Sequence, residues 1–283
     1  MNRAGRVDSW FDDIADGMGL RDHDYVLTFG AYFDESQNGD ILCVAGYVFE
    51  KRNAKKLERK WAKMLAQYEL PYFRMSACNA GRKPFERLTE EQRIAAQTKA
   101  ISLIKEHAEF GTAVSIDCSQ ADQLLRAEEC PAYLRPFALG PYELGVYLCM
   151  MSVRLALEKA KPGEKYRVGY FFEDGHAHRA KAAKLIAEIL EVPSLKRRYC
   201  WFAGGFTSKE AGGPIQAADV LAWQWCKDRV RFKERPDRPQ RRDCAALLEA
   251  PVRVLHIDAG EHADWLRDTI RREALTLVSA QPS

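Results

Sequence analysis

The sequence predicts an α/β fold, a mixed β-sheet flanked by α-helices and carrying helical insertions. Three observations predict it. Near the start, two β-prone apolar runs, Tyr25 to Phe33 and Ile41 to Phe49, flank a short turn containing Asn38-Gly39, which reads as a hairpin. From Pro141 onward, segments of helical spacing alternate with apolar runs of strand length, the order that packs helices on a sheet. The chain has 283 residues, 47% of them hydrophobic and 29% charged, enough for a sizeable core of ordinary globular composition.

Taken in order, residues 1–24 alternate acids with a few large apolar residues and form an N-terminal appendage, and one domain runs over 25–283. The first strand ends in Asp34-Glu35, and a turn over Ser36 to Asp40 leads into the second strand. Over 51–69, Leu57, Trp61, Met64, Leu65 and Tyr68 recur at helical spacing, and Pro71 ends that helix. Tyr72 to Met75 reads as a short extended piece. Thr89-Glu-Glu-Gln92 is a capping box that opens a helix to about His107. This insertion, about 51–109, precedes a third strand at 110–118. Loops marked by Pro131, Pro136 and Gly140 lead to a long helix over 141–161, stopped by Pro162-Gly163. A strand at 166–172 runs into Glu173-Asp174-Gly175. Then come a helix over 178–190, a strand at 195–202, a turn at Gly204-Gly205, and a helix from Ile215 to about Val230 opened by Pro214. The chain after about 231 is a C-terminal extension.

Composition removes several classes of function. The formal charge of +3 does not by itself indicate nucleic acid; only a local patch would. The eight cysteines include no Cys-x-x-Cys pair and no zinc-ribbon spacing. Most lie in apolar runs, where a free thiol behaves as a small hydrophobe. The N-terminus lacks the apolar core of a signal peptide. The most apolar stretch, Leu139 to Leu157, contains Glu143 and Arg154 and is too short for a membrane span. The expectation is a reduced, cytoplasmic protein with no membrane association.

Carboxylates stand where burial makes them costly. Asp34 and Glu35 end one apolar strand, and Glu173 and Asp174 end another, at the C-terminal edge where α/β sheets commonly place ligands. In the helix from Ile215, the apolar face made by Ile215, Ala218, Leu221, Ala222, Trp225 and Cys226 takes in Asp219, with Gln216 one turn earlier and Gln224 on the polar side. Glu143 opens a helix that is apolar nearly all round. Each acid has a plainer explanation: a turn start for Asp34-Glu35 and for Asp174, a backbone hydrogen bond for Asp219, a favourable helix N-terminus for Glu143. Together, four carboxylates meeting at one point would repel unless divalent cations lie among them. Oxygen ligands without His or Cys select magnesium or manganese. Two such ions about 4 Å apart clamp the attacking water and the leaving oxygen of a phosphodiester. A cluster neutralised by Lys or Arg is the alternative that needs no metal.

The Tyr-Phe-Asp-Glu-Ser stretch over 32–36, Thr207-Ser-Lys209, and Ile215-Gln-Ala-Ala-Asp-Val-Leu-Ala222 together resemble a bacterial family catalogued as domain of unknown function thirty-eight hundred. That family is marked by an early Asp-Glu and a late Gln-x-x-Asp, which stand here as Asp34-Glu35 and Gln216-x-x-Asp219. The resemblance covers about Tyr25 to Val230. It implies a ribonuclease H-like fold with Asp34 as the first-strand acid and Asp219 as the C-terminal-helix acid. Glu173 or Asp174 is then the fourth-strand acid and Glu143 the first-helix acid. The helices near 51–69 and 89–107 and the tail after Val230 are additions to that template.

The resulting expectation is a magnesium- or manganese-dependent phosphodiester hydrolase, a nuclease, acting on nucleic acid. Asp34, Glu173 (or Asp174) and Asp219 hold the metals, Glu143 and Glu35 assist, and Gln216 orients Asp219 or a water. Period-two alternation turns Glu35 to the other side of the strand, into an outer or turn role. The alternative is a catalytically silent module that binds nucleic acid or protein. Ser208 and Lys209 position a phosphate or simply cap a loop. His176 and His178, two apart in a loop just after Glu173, read as surface residues, the alternative being a metal ligand or a general acid. The Arg-rich, Pro-punctuated segment 227–242 either holds a phosphate backbone or is a solvated loop.

Overall fold

The structure is a computed structural model that describes residues 27–120, 140–174 and 178–257. The N-terminal appendage, Pro131, Pro136 and His176 lie outside the described residues. The hairpin is β1 (Leu27–Asn38) and β2 (Ile41–Glu50), followed by α1 (Lys51–Gln67), α2 (Met75–Ala80), α3 (Glu90–His107) and β3 (Phe110–Asp117). After these come α4 (Pro141–Ala160), β4 (Tyr166–Glu173), α5 (Arg179–Glu191), α6 (Pro193–Arg198) and β5 (Trp201–Thr207). A 3-10 turn (Lys209–Ala211), α7 (Gly213–Glu234), α8 (Arg242–Leu248) and β6 (Val252–Ile257) complete the order.

The six strands lie in the order β5-β4-β1-β2-β3-β6. β2 pairs antiparallel with β1 and β3, while β4 on β1, β5 on β4 and β6 on β3 are parallel. The architecture is α/β, a mixed sheet flanked by helices, and it is compatible with a ribonuclease H-like fold. Alternation along β1 supplies both faces. Tyr32 faces the layer of α1, α2, α3, α7 and α8 and lies tilted against Phe171, ring centres 4.9 Å apart. Phe33 faces the layer of α4, α5 and α6 and stacks at 5.4 Å on Phe172. β1 and β2 approach closely at Gly46, where a Cβ would sit 1.8 Å from the Tyr32 carbonyl oxygen, so no side chain fits.

Several expected boundaries move. β1 does not stop at Asp34 but continues to Asn38, because the turn is only Gly39-Asp40, with Gly39 at φ 59°. Tyr72 to Met75 is not a strand; Met75 opens α2. The strand expected at 195–202 is displaced. Pro193, at the first helical turn, starts α6, with Lys196, Arg197 and Arg198 in its last turn, and the strand begins only at Trp201. Gly204-Gly205 is therefore inside β5 rather than a turn. The long helix runs to Glu234 and is buried almost all round, Gln224 included (0% exposed), so it is a central pillar rather than an amphipathic helix. The C-terminal extension supplies α8 and an additional edge strand, β6.

Candidate metal centre

The site lies where β4 parts from β1. Their parallel register ends at Phe33↔Phe172, so Asp34 and Glu173 are the next residues on adjacent strands. Both project, by alternation, to the face that carries Tyr32, Phe171 and α7. α7 starts with Gly213-Pro214, and Gly213 lies so close to Trp61 that a Cβ would come within 2.9 Å of its ring. That tight seat sets α7 down with Asp219 pointing at the two strand acids. Asp34 and Asp219 are 3% and 7% exposed.

At the centre is Lys209, from the turn after β5. Its Nζ is 2.8 Å from Asp219 Oδ1, 3.0 Å from Asp34 Oδ2 and 3.7 Å from Glu173 Oε1. The backbone supports the acids: Glu35 N–H donates to Asp34 Oδ1 at 2.8 Å, and Met75 N–H, at the start of α2, donates to Asp219 Oδ2 at 2.5 Å. Glu35 is closer than alternation implies. Oxygens of Asp34, Glu35 and Glu173 all lie within 4.8 Å of one another.

The Lys209 ammonium stands among the carboxylates of Asp34, Asp219 and Glu173, and Glu35 adds its charge to those acting on Asp34. Burial is the main force pushing the Asp34 carboxyl well above its usual range; Lys209 opposes it, while Asp219, Glu173 and Glu35 add to it. Burial alone would depress Lys209, but Asp219 and Asp34 outweigh it and hold the ammonium charged. Beside the cluster opens a cleft of about 390 Å³, lined by Glu35, Arg74, His178, Lys209, Asp219 and Lys227 among others.

Asp34, Glu35 and Glu173 fit a hard divalent cation in kind and in separation, being closely spaced oxygen ligands; Asp219 reaches the same point through Lys209 and is outside that close set. Lys209 occupies the position between Asp34 and Asp219, so a cation placed there requires the lysine to give way.

Other expected residues divide. Glu143 is buried in the first turn of α4, and among the described residues its Oε2 has no hydrogen-bond partner. Its helix packs on the opposite layer and its carboxylate is not in the close set of Asp34, Glu35 and Glu173, although it and Asp34 both act on Tyr142. Asp174 turns outward, its carboxylate 2.5 Å from Arg179 Nε and its N–H bonded to the Thr207 carbonyl, which is a turn role and not a ligand role. Ser208 is exposed at the N-cap of the 3-10 turn.

Gln216 does not orient Asp219. Its Oε1 accepts from Trp61 Nε1 (2.8 Å) and Phe73 N (2.6 Å), and its Nε2 donates to the Lys209 carbonyl (2.6 Å). It is a buried clamp joining α1, the approach to α2, and the turn that carries Lys209.

The Arg-rich segment is mostly turned on itself. Residues 227–234 continue α7, Arg229 lies over Trp225 and Phe232, Arg241 lies over Trp223, and Arg231 pairs with Asp228. The loop is confined to 235–241, around Pro236 and Pro239, and Arg229, Arg231 and Arg241 are used within the fold. Lys227 is the member that reaches the cleft.

Sequence reasoning missed the centrality of Lys209 and the cleft position of Arg74. The lysine's available signal was its place directly after an apolar run, ahead of the Gly212-Gly213-Pro214 turn. His178, expected at the surface, lines the cleft and stacks on Tyr142 at 4.9 Å. Among the described residues, no helix is long and apolar enough to cross a membrane. No model of a protein family matches the chain, and no curated protein is significantly similar to it.

Proposed function

We propose that the protein is a divalent-metal-dependent phosphodiester hydrolase acting on nucleic acid, with magnesium or manganese held by Asp34, Glu173 and Asp219 and with Glu35 at hand. The observation that supports it is the meeting of acids from β1, β4 and α7 around Lys209 beside a cleft, with oxygens of Asp34, Glu35 and Glu173 within 4.8 Å of one another. A bound metal would supply Lewis-acid stabilisation of a phosphoryl oxygen and lower the pKa of a bound water. The chain's own residues supply the rest: Arg74 and Lys227 set positive charge on the cleft wall, and the buried floor keeps the carboxylates in fixed geometry. The ribonuclease H-like assignment belongs to the same reading, and the family likeness rests on the two acid motifs. A cytoplasmic location accords with the described cysteines, all of which are free thiols.

The test is a panel of labelled single strands, duplexes and RNA–DNA hybrids incubated with Mg²⁺ or Mn²⁺. Wild type is expected to cut at least one of them. Asp34→Asn and Asp219→Asn should each lower cutting by more than about 100-fold, since even loss of a residue that merely supports a metal ligand commonly costs 10- to 100-fold. Cutting by both variants at the wild-type rate removes the site.

The position of Lys209 favours one second reading, a carboxylate cluster neutralised internally and a silent binding module. That reading expects binding without cutting, indifferent to chelator, and no Mn²⁺ binding whether Lys209 is present or not.

A further inference from the structure

The basic surface of this protein is not where the Arg-rich segment suggested. Within α1, residues 51–67 hold seven Lys or Arg and one acid, Glu58. The helix thus carries a formal +6, while the whole chain totals +3, so the remainder is net acidic. The sequence's modest overall charge conceals a concentrated patch.

The patch is ordered. Arg52, Lys56, Arg59 and Lys63 are spaced four, three and four residues apart, which places them on one stripe of the helix. All four are exposed. The opposite stripe, Ala54, Leu57, Trp61 and Met64, is buried against the core. The stripe therefore faces directly outward along a helix about 25 Å long. Lys51 and Lys55 flank it, and an open groove of about 450 Å³ runs between this helix and the start of β1 at Leu27 and Thr28.

We infer that the exposed stripe of α1 is the surface that holds the phosphate backbone of a nucleic-acid strand leading to the acid cluster. The inference rests on the hydrolase reading and specifies its substrate-binding face. Two observations favour this occupant. First, α1 packs on α7, on the same face of the sheet as Asp34 and Asp219. Trp61 bonds to Gln216, which in turn bonds to the Lys209 backbone, so the basic helix is joined to the site through two side chains. Second, the apolar stripe is consumed by the core, which leaves no hydrophobic face to enter a bilayer. Phosphates spaced regularly along a strand match an outward row of Lys and Arg, without sequence selectivity.

The experiment uses the full chain in EDTA, so that binding is read without cutting. A labelled single strand and a labelled duplex are titrated by fluorescence anisotropy across a salt series. The triple variant Lys56→Gln, Arg59→Gln, Lys63→Gln is compared with an equal charge change on the other face, Lys184→Gln, Lys196→Gln, Arg197→Gln. All six side chains are exposed, so both proteins should fold, and a thermal melt checks this.

The expected result is at least a tenfold weaker Kd for the α1 variant on every sequence tested. The slope of log K against log salt should be shallower by about 2–3, near one for each phosphate no longer neutralised. The control triple should change Kd by less than about twofold, consistent with its distance from the patch. Equal weakening by the two triples overturns the inference, as does an unchanged salt slope. So does binding to phosphatidylserine vesicles or polyglutamate as tight as to nucleic acid. Binding that depends on α1, with no cutting under any metal, retires the hydrolase reading and keeps this one. Cutting with affinity indifferent to α1 does the reverse.

Discussion

Replacing Lys209 with methionine is expected to lower the unfolding free energy by about 3–5 kcal/mol in EDTA, the range for removing one partner of a buried ion pair. The side chain is 10% exposed and its ammonium touches three carboxylates, so its loss takes away the cation that Asp34, Asp219 and Glu173 share. Saturating Mn²⁺ should restore most of the loss, because a divalent ion can take over the same oxygens. The dependence on pH follows from the two shifts. Asp34 is raised above its ordinary 3.8, so wild-type stability falls as pH climbs from that value through the folded one. Lys209 is raised above its ordinary 10.5, so its contribution is complete below 10.5 and disappears as pH rises through its folded value. In the variant the acids take protons more readily still. Its deficit should therefore be small near pH 4 and widen towards neutrality. Denaturant titrations at several pH values, with and without Mn²⁺, read all of this. A deficit that Mn²⁺ leaves untouched supports the silent, lysine-neutralised module instead, and a variant more stable than wild type contradicts the charge analysis altogether.

Gln216→Leu is expected to cost about 3–5 kcal/mol, although the new side chain is similar in size and apolar. Gln216 is 1% exposed and satisfies Trp61 Nε1, the Phe73 amide and the Lys209 carbonyl at once. Each buried group left unpaired costs about 1–3 kcal/mol. Gln216→Glu separates two parts of this role. It keeps the acceptor for Trp61 and Phe73, but it loses the donor to the Lys209 carbonyl and adds a buried charge. If Gln216 acted only on a catalytic water, both variants would unfold like wild type in urea, and that outcome would sink the clamp assignment.

The contrast between Asp34 and Glu143 shows how far the sequence could be read. Both are acids in apolar surroundings, and the sequence placed both in buried positions, correctly. It could not say to which layer each points, because that depends on strand register and on which helix covers which face. Asp34 shares the α7 layer with Asp219; Glu143 opens a helix on the other layer. Hydrophobic periodicity located most elements, and the capping box at Thr89 opens α3 as expected. The failures came where local signals competed. Pro193 and three basic residues made a helix out of an expected strand, and the prolines after Arg235 concealed how far α7 runs. Lys209 was legible as a residue but not as a cation among acids, since only the tertiary fold joins residues 34, 173, 209 and 219. The charge of α1 was in plain view but was averaged away by the rest of the chain.

β6 gives the C-terminal extension a meaning for anyone who shortens or tags this protein. It pairs in parallel with β3 from Gly111 to Ile116, on the flank that β2 does not cover. A chain cut before Val252 would present that backbone as an open row of donors and acceptors, the kind of edge on which one molecule recruits the next. The stretch that looks most dispensable, three strands away from the acids, puts at the sheet's edge a short strand carrying Arg253 and His256 in place of the longer, wholly buried β3.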